Sequence, residues 1–199
     1  MLSVSATSVL LMIYFIVKNA KLTKKIDEIA HNCSLTSVYN RRFFLELAKV
    51  QFARSLRTGM DSYFIVFDLD NYKEISDKYG QFAADYALTE IAARVKNAIR
   101  PYDIIGRYTG EGFIILMTDI AEVDKMNVVS ATERILKSIC ETPIEYEGKK
   151  MYASACFGIS PATIVQDMGE AIKYAEKAHS AAKKNKQDPI VFHEKAAGA

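Results

Sequence analysis

Cysteine is scarce in this chain, and its pattern pairs none of it. Cys33, Cys140 and Cys156 form no CxxC pair. An odd, scattered set is not a disulfide framework and points to a reducing compartment. His31, His179 and His193 lack metal-ligand spacing. No Gly-rich loop of the GxxxxGK(S/T) kind is present, so a nucleotide site has to be built another way. Neither sign of charge dominates. Lys and Arg total 26, Asp and Glu 24, and the formal net charge is +2. No global field therefore argues for a nucleic-acid partner. No internal repeat or low-complexity segment appears. What is there is 199 residues, 50% hydrophobic and 25% charged, which suits one folded domain with a single core.

The N-terminus departs from this average. Residues 1–17 carry no charged side chain, and Val9 to Val17 is almost wholly apolar. Lys18, Lys21, Lys24 and Lys25 follow at once. A membrane helix needs ~20 apolar residues, with ~17 as the lower limit. The stretch is short but sufficient, and the lysines mark its C-terminal side as cytoplasmic. A cleaved signal peptide would carry its positive charge before the apolar run, not after it. The sequence thus predicts a single-pass inner-membrane anchor over 1–17. The pattern also suits the last span of a longer membrane region. Residues 18–33 follow as a juxtamembrane helix. There Leu22, Ile26, Ile29 and Cys33 recur in a narrow heptad-like stripe. Fewer than two heptads leave two readings open, a helix lying on its own domain and a parallel two-chain coil.

Tyr63 to Phe67 reads as a buried strand ending at Asp68. Ala84, Leu88, Ile91, Val95 and Ile99 give a helical stripe stopped by Pro101. Ile104 to Tyr108 and Phe113 to Met117 read as strands. Thr109-Gly110-Glu111-Gly112 between them is a tight hairpin. Val128, Ala131, Ile135 and Ile139 mark a second helix. Glu147-Gly148 turns into a strand running from Met151 to Ile159. Met168, Ile172, Ala175, His179 and Ala182 mark a third helix, and Ile190 to Phe192 a last short strand. The order β-α-β-β-α-β is that of an α+β, ferredoxin-like split βαβ sandwich over 34–192. Residues 193–199 read as a frayed tail.

Phosphoryl transfer from a nucleotide needs carboxylates at strand ends to hold Mg²⁺ and cations to hold phosphates. Asp68-Leu69-Asp70 ends the first strand, and Glu111 tips the hairpin. In a split βαβ sheet the first strand lies beside a hairpin strand, which brings Asp68 and Glu111 within reach of one metal. Lys73 follows the acidic pair closely. Each residue alone is weak evidence, since an Asp at a strand end is more often a turn former.

Six blocks between Ser34 and Phe192 carry a family resemblance. Leu35-Thr36-Ser37-Val38-Tyr39-Asn40-Arg41-Arg42-Phe43 is similar to LTGLYNRR. Asp68-Leu69-Asp70-Asn71-Tyr72-Lys73-Glu74-Ile75-Ser76-Asp77-Lys78-Tyr79-Gly80 is similar to DIDxFKxINDxxG. Asp85 and Leu88 stand where GDxxL is expected. Arg107-Tyr108 precedes the signature position, here Thr109-Gly110-Glu111-Gly112-Phe113. Phe157-Gly158-Ile159 resembles SxGIA. Ala175-Glu176-Lys177-Ala178 with Ala182-Lys183 resembles ADxALYxAK. The chain resembles the GGDEF (diguanylate cyclase) family, whose fold is akin to nucleotidyl cyclase and polymerase palm domains. Its members condense two GTP into cyclic di-GMP, one on each domain of a homodimer. The resemblance implies Asp68, Glu111 and the Leu69 carbonyl as Mg²⁺ ligands, with Glu111 catalytic. It implies Lys73 and Lys183 at the phosphates, Ser76 and Asp85 at the guanine, and Arg100 and Asp103 as the RxxD inhibitory site for cyclic di-GMP. Taken without the resemblance, Arg100 and Asp103 read as a helix-end ion pair.

The departures fall where the chemistry is. Gly112 stands for Glu and Thr109 for Gly in the signature. Ser76 stands for the guanine-binding Asn, and Gln81 and Ala84 for His and Gly. Lys186-Gln187-Asp188 stands for Gly-Arg-Asn, which removes a phosphate-binding Arg. His179 stands for Leu. Cys33 and Ser37 replace an Asp and a Gly. The core positions Ile65, Phe67, Ile91, Phe113, Ile115 and Phe157 stay apolar. Losing a single transition-state group costs about 10²–10³ in rate, so several losses predict a weak or inactive cyclase that still binds cyclic di-GMP through RxxD. An active cyclase and a nucleotide-independent dimerisation scaffold are the competing readings. His179, on an apolar stripe, reads as packed.

Overall fold

The computed structural model describes residues 6–120, 125–185 and 187–193. Six helices and seven strands alternate among them. They are α1 (Ala6–His31), α2 (Arg41–Thr58), β1 (Asp61–Leu69), α3 (Tyr72–Tyr79), α4 (Gln81–Ala98), β2 (Ile104–Arg107), β3 (Gly112–Ile120), α5 (Lys125–Cys140), β4 (Ile144–Tyr146), β5 (Lys149–Met151), β6 (Ala155–Pro161), α6 (Met168–Lys184) and β7 (Ile190–Phe192). Five strands form one sheet in the order β2-β3-β1-β6-β7. β1 is antiparallel to both β3 and β6, and β7 is parallel to β6. β4 and β5 make a separate hairpin. This is the mixed α+β sandwich expected from the β-α-β-β-α-β order.

Strand alternation divides β1 between two cores. Tyr63, Ile65 and Phe67 pack with Leu88, Ile91, Val128, Ile135 and Ile139 on the α4/α5 side. Phe64 and Val66 pack with Phe44, Phe52, Ile172 and Ala175 on the α2/α6 side. Both faces are covered, which is why the strand is apolar without alternation. The six apolar core positions singled out in the sequence are all fully buried.

Three features differ from the sequence reading. First, α2 and α3 were not anticipated. α3 is short and buries only Ile75, whereas α2 buries Phe44, Ala48, Phe52 and Ser55 at helical spacing. Asn40 starts α2 by accepting from Phe43 N–H at 2.9 Å. Second, the strand expected from Met151 to Ile159 is two strands. Asn71 accepts from Ser154 N–H at 3.0 Å and donates to the Tyr152 carbonyl at 2.9 Å, which holds residues 152–154 against the β1–α3 loop.

Third, the predicted membrane helix is not borne out. The segments divided at 17/18 form one continuous 26-residue helix, α1. Among the described residues no helix is long and apolar enough to cross a membrane. The apolar stretch of α1 meets Lys18 well before ~20 residues have passed. Residues 1–5 of the predicted anchor, and residues 194–199 of the predicted tail, lie outside the described residues. In the heptad-like stripe Leu22 is exposed and Cys33 half-buried. The side chains of Ile26 and Ile29 lie outside the described residues.

The end of α1 is tied to the domain by Asn40. Its side chain donates to the Ala30 carbonyl at 2.8 Å, and its backbone N–H to the His31 carbonyl at 2.8 Å. Tyr39 then joins the edge of β2: its N–H reaches the Ile105 carbonyl and its carbonyl accepts from Arg107 N–H at 2.7 Å. The path from α1 to the signature hairpin is therefore hydrogen-bonded throughout.

Candidate nucleotide site at the signature hairpin

The sheet register sets the site. Asp68 is the partner of Gly112 on one side and Cys156 on the other. The Leu69 N–H donates to the Glu111 carbonyl at 3.4 Å. The end of β1 thus lies against the hairpin, as the split βαβ order predicts. Alternation points Asp68 to the α2/α6 side, where α6 meets it. Asp68 Oδ2 accepts from Lys183 Nζ at 2.7 Å, and Oδ1 lies 3.0 Å from His179 Nε2. Both oxygens of this carboxylate are engaged. His179 is packed, as its apolar stripe suggested, yet it also holds Asp68. The signal was in its position, four residues before Lys183 on one helix face.

Burial raises the Asp68 carboxyl, but the hydrogen bonds and charges of His179 and Lys183 outweigh it and hold it below the ordinary value of 3.8. Burial lowers Lys183, while Asp68, Asp70 and Glu111 hold it above 10.5. The Asp68 contribution to stability is present above the unfolded-state value and is lost as pH falls through the lower folded value. The Lys183 contribution is full below its unfolded value and is lost as pH rises through the raised folded one. Lys183→Met is expected to cost about 1–2 kcal/mol at neutral pH, a charged hydrogen bond discounted for solvent. The gap in urea midpoint from wild type should narrow as acid protonates Asp68. A gap that stays constant with pH would rule out the pair as its source.

The hairpin carries a second constraint. A side chain starting at Gly112 would collide with Thr109 Oγ1. Thr109 thus fills the space beside Gly112. Arg107 shapes the same turn, donating through Nε to the Thr109 carbonyl at 3.1 Å and through Nη2 to the Gly110 carbonyl.

The other predicted residues are placed as follows. Ser76, Gln81, Asp85 and Tyr72 form one closed network. Ser76 donates to Gln81 Oε1 at 3.1 Å, Gln81 Nε2 donates to Asp85 at 2.8 Å and to the Tyr72 hydroxyl at 2.7 Å, and Tyr72 donates to Asp85 at 3.2 Å. Gln81, noted in the sequence only as a replacement, is the hub of this network. Ala84 is buried within α4 and has no positive φ. Lys73 is exposed on α3. Arg100 and Asp103 lie at the other end of β2 from the hairpin. They form no side-chain ion pair. Asp103 accepts from Arg100 N–H at 3.0 Å and from Thr118 N–H at 3.3 Å, and burial raises its pKa in spite of both. Arg100 is exposed, its guanidinium 5.9 Å from the Tyr102 ring centroid.

Mg²⁺ demands several hard oxygens in near-octahedral array. This arrangement does not fit it. Among the described residues no three His, Cys, Asp or Glu side chains are grouped to hold a metal. Asp68 is neutralised by Lys183, and Gly112 brings no carboxylate.

The sequence matches the family described as diguanylate cyclase, GGDEF domain, over residues 30–189. The chain belongs to the GGDEF family. It is 35% identical over 124 residues to diguanylate cyclase A of Treponema denticola, covering 62% of this chain and 32% of that protein. It is 27% identical over 157 residues to diguanylate cyclase DosC of Escherichia coli K12, covering 78% of this chain and 34% of that one. This GGDEF chain thus spans about a third of the length of these curated relatives. The coiled coil and GGDEF domain of DgcB from Caulobacter crescentus, solved with c-di-GMP, superposes with a TM-score of 0.82 at 16% identity, covering 94% of this chain and 97% of that chain. Diguanylate cyclase SiaD of Pseudomonas aeruginosa, solved with its activator SiaC, gives 0.78 at 24%, covering 94% and 70%. At such identities the likeness shows the fold alone.

Proposed function

We propose that this GGDEF domain works as a cyclic di-GMP signalling module with little or no cyclase activity, recognising cyclic di-GMP at Arg100 and Asp103 and acting as a homodimer through α1. The observation that carries the reading is Asp68. Its two oxygens are held by His179 and Lys183, beside a hairpin whose other carboxylate position is Gly112. A metal and a triphosphate would have to displace an ion pair already made. The Ser76–Gln81–Asp85 network supports the same reading at the base side, since its polar groups already satisfy one another. At the opposite end of β2 Asp103 fixes the turn while the Arg100 guanidinium stays open to a ligand. The similar proteins, cyclases and a c-di-GMP complex, agree with the ligand class.

One sample decides it. Incubation with GTP and Mg²⁺, followed by chromatography, is expected to give no cyclic di-GMP. Calorimetry with cyclic di-GMP is expected to show binding that Arg100→Ala abolishes. Product formation lost in Glu111→Ala would establish an active cyclase instead. Absence of both product and binding would leave a dimerisation scaffold.

A further inference from the structure

A cavity of about 300 Å³ lies where the end of α1, the end of α4 and the start of β2 meet. Val38, Ile99 and Ile105 give it apolar walls. Arg100 and Asp103 also line it, and the turn between α1 and α2 contributes Asn32 and Ser37. That turn is closed by its own hydrogen bonds. Cys33 N–H donates to the Val38 carbonyl at 2.8 Å, and Ser37 N–H to the Cys33 carbonyl at 2.9 Å. The Thr89 hydroxyl donates to the Leu35 carbonyl at 3.0 Å, which ties the turn to α4. Ser37 is held at a φ of 56°, a left-handed backbone that disfavours any residue with a Cβ. The half-buried Asn32 amide makes no side-chain hydrogen bond among the described residues. It offers both a donor and an acceptor.

The surroundings select a neutral base over a phosphate. α1 ends at His31 and α4 at Ala98, so two helix C-termini meet at the cavity. Each carries the negative end of its macrodipole, which disfavours an anion. Asp103 adds a carboxyl group. A planar group with N–H donors and flat faces for the apolar walls is favoured instead. Guanine is such a group, with its N2 amine as donor and O6 and N7 as acceptors. Lys96 and Arg100, both exposed at the same cavity, remain for the phosphates.

We propose that this cavity takes one guanine base of the cyclic dinucleotide held at Arg100 and Asp103, that Asn32 reads the base, and that binding thereby fixes the end of α1 against the domain. This rests on the cyclic di-GMP binding proposed above. Asn32 directly follows the last residue of α1. It is bridged to Tyr39, which is bridged in turn to Gly106 of β2. A hydrogen bond made at Asn32 therefore restrains the helix exit and the strand edge together.

Calorimetry on the full chain with cyclic di-GMP and cyclic di-AMP tests it. Adenine has no N2 amine, so the guanine compound should bind about tenfold tighter. Asn32→Ala should weaken cyclic di-GMP about tenfold, the worth of one hydrogen bond. Asn32→Asp keeps an acceptor for the guanine donors and should recover most of that loss. The Cys33, Tyr39 and Asn40 amides, bonded to the Val38, Ile105 and His31 carbonyls, should exchange more slowly in the saturated wild type. Binding lost in Arg100→Ala yet unchanged in Asn32→Ala would overturn the role of Asn32 and leave the cyclic di-GMP site standing. No binding to wild type would overturn both. Equal affinity for the two dinucleotides would overturn the guanine assignment, and unchanged exchange at saturation the coupling to α1.

Discussion

Gly158→Ala is expected to destabilise the domain more than any other single methyl added to it. Gly158 lies in the centre of β6, paired with Val66 of β1 on one side and Val191 of β7 on the other. A Cβ there would run into the backbone of α6, at His179 N and Cα and at the Ala175 carbonyl. Neither a strand buried on both faces nor a helix backbone can rotate out of the way. Overpacking a filled core costs about 1–3 kcal/mol and occasionally more. Here the contact is backbone, so a loss of about 3 kcal/mol or above is expected. Urea unfolding measures it. The same shift of α6 draws His179 and Lys183 away from Asp68, so the pH dependence assigned to that pair should weaken in the variant. A Gly158→Ala protein as stable as wild type would show that α6 does not pack this closely.

The second large effect concerns the hairpin. Gly112→Glu alone is expected not to rebuild a metal site, because Thr109 Oγ1 fills the space its Cβ needs. Thr109 is β-branched and stiff at χ1, so making room costs about 1 kcal/mol. Thr109→Gly with Gly112→Glu removes the obstruction. The double variant is expected to show a Tm increase of several degrees with GTP and Mg²⁺, as about 100-fold saturation of a new site would give. Wild type and Gly112→Glu should show none. Adding His179→Leu frees one oxygen of Asp68 and should strengthen the response. If Gly112→Glu responds as fully as the double variant, Thr109 is no obstacle and the two changes are independent.

Much of the site was legible as residue types and little of it as contacts. Asp68 and Glu111 could be placed near each other because a split βαβ order puts β1 beside β3. Gln81 and Thr109 drew notice only as replacements, since sequence order gives no side-chain direction. Their roles, bridging Ser76 to Asp85 and filling the space at Gly112, depend on a turn and a helix start meeting in space. His179 read as a packed residue because periodicity reports which face is apolar, not what lies opposite it. The helix α3 was missed because so short a segment carries little periodic signal, whereas Phe44, Ala48 and Phe52 of α2 stand at helical spacing. Among the described residues no helix is long and apolar enough to cross a membrane, and residues 1–5 of the expected anchor lie outside them.

The sequence by itself determined the family, the β-α-β-β-α-β frame and part of the core, because those rest on local patterns: periodicity, turn formers and motif spacing. It also showed which groups stand at the hairpin, Thr109, Gly110, Glu111 and Gly112. Only the tertiary structure decided what the remaining groups do. Asp68 belongs to His179 and Lys183, more than a hundred residues away in the chain, and that pairing exists because Gly158 lets α6 lie directly on β6.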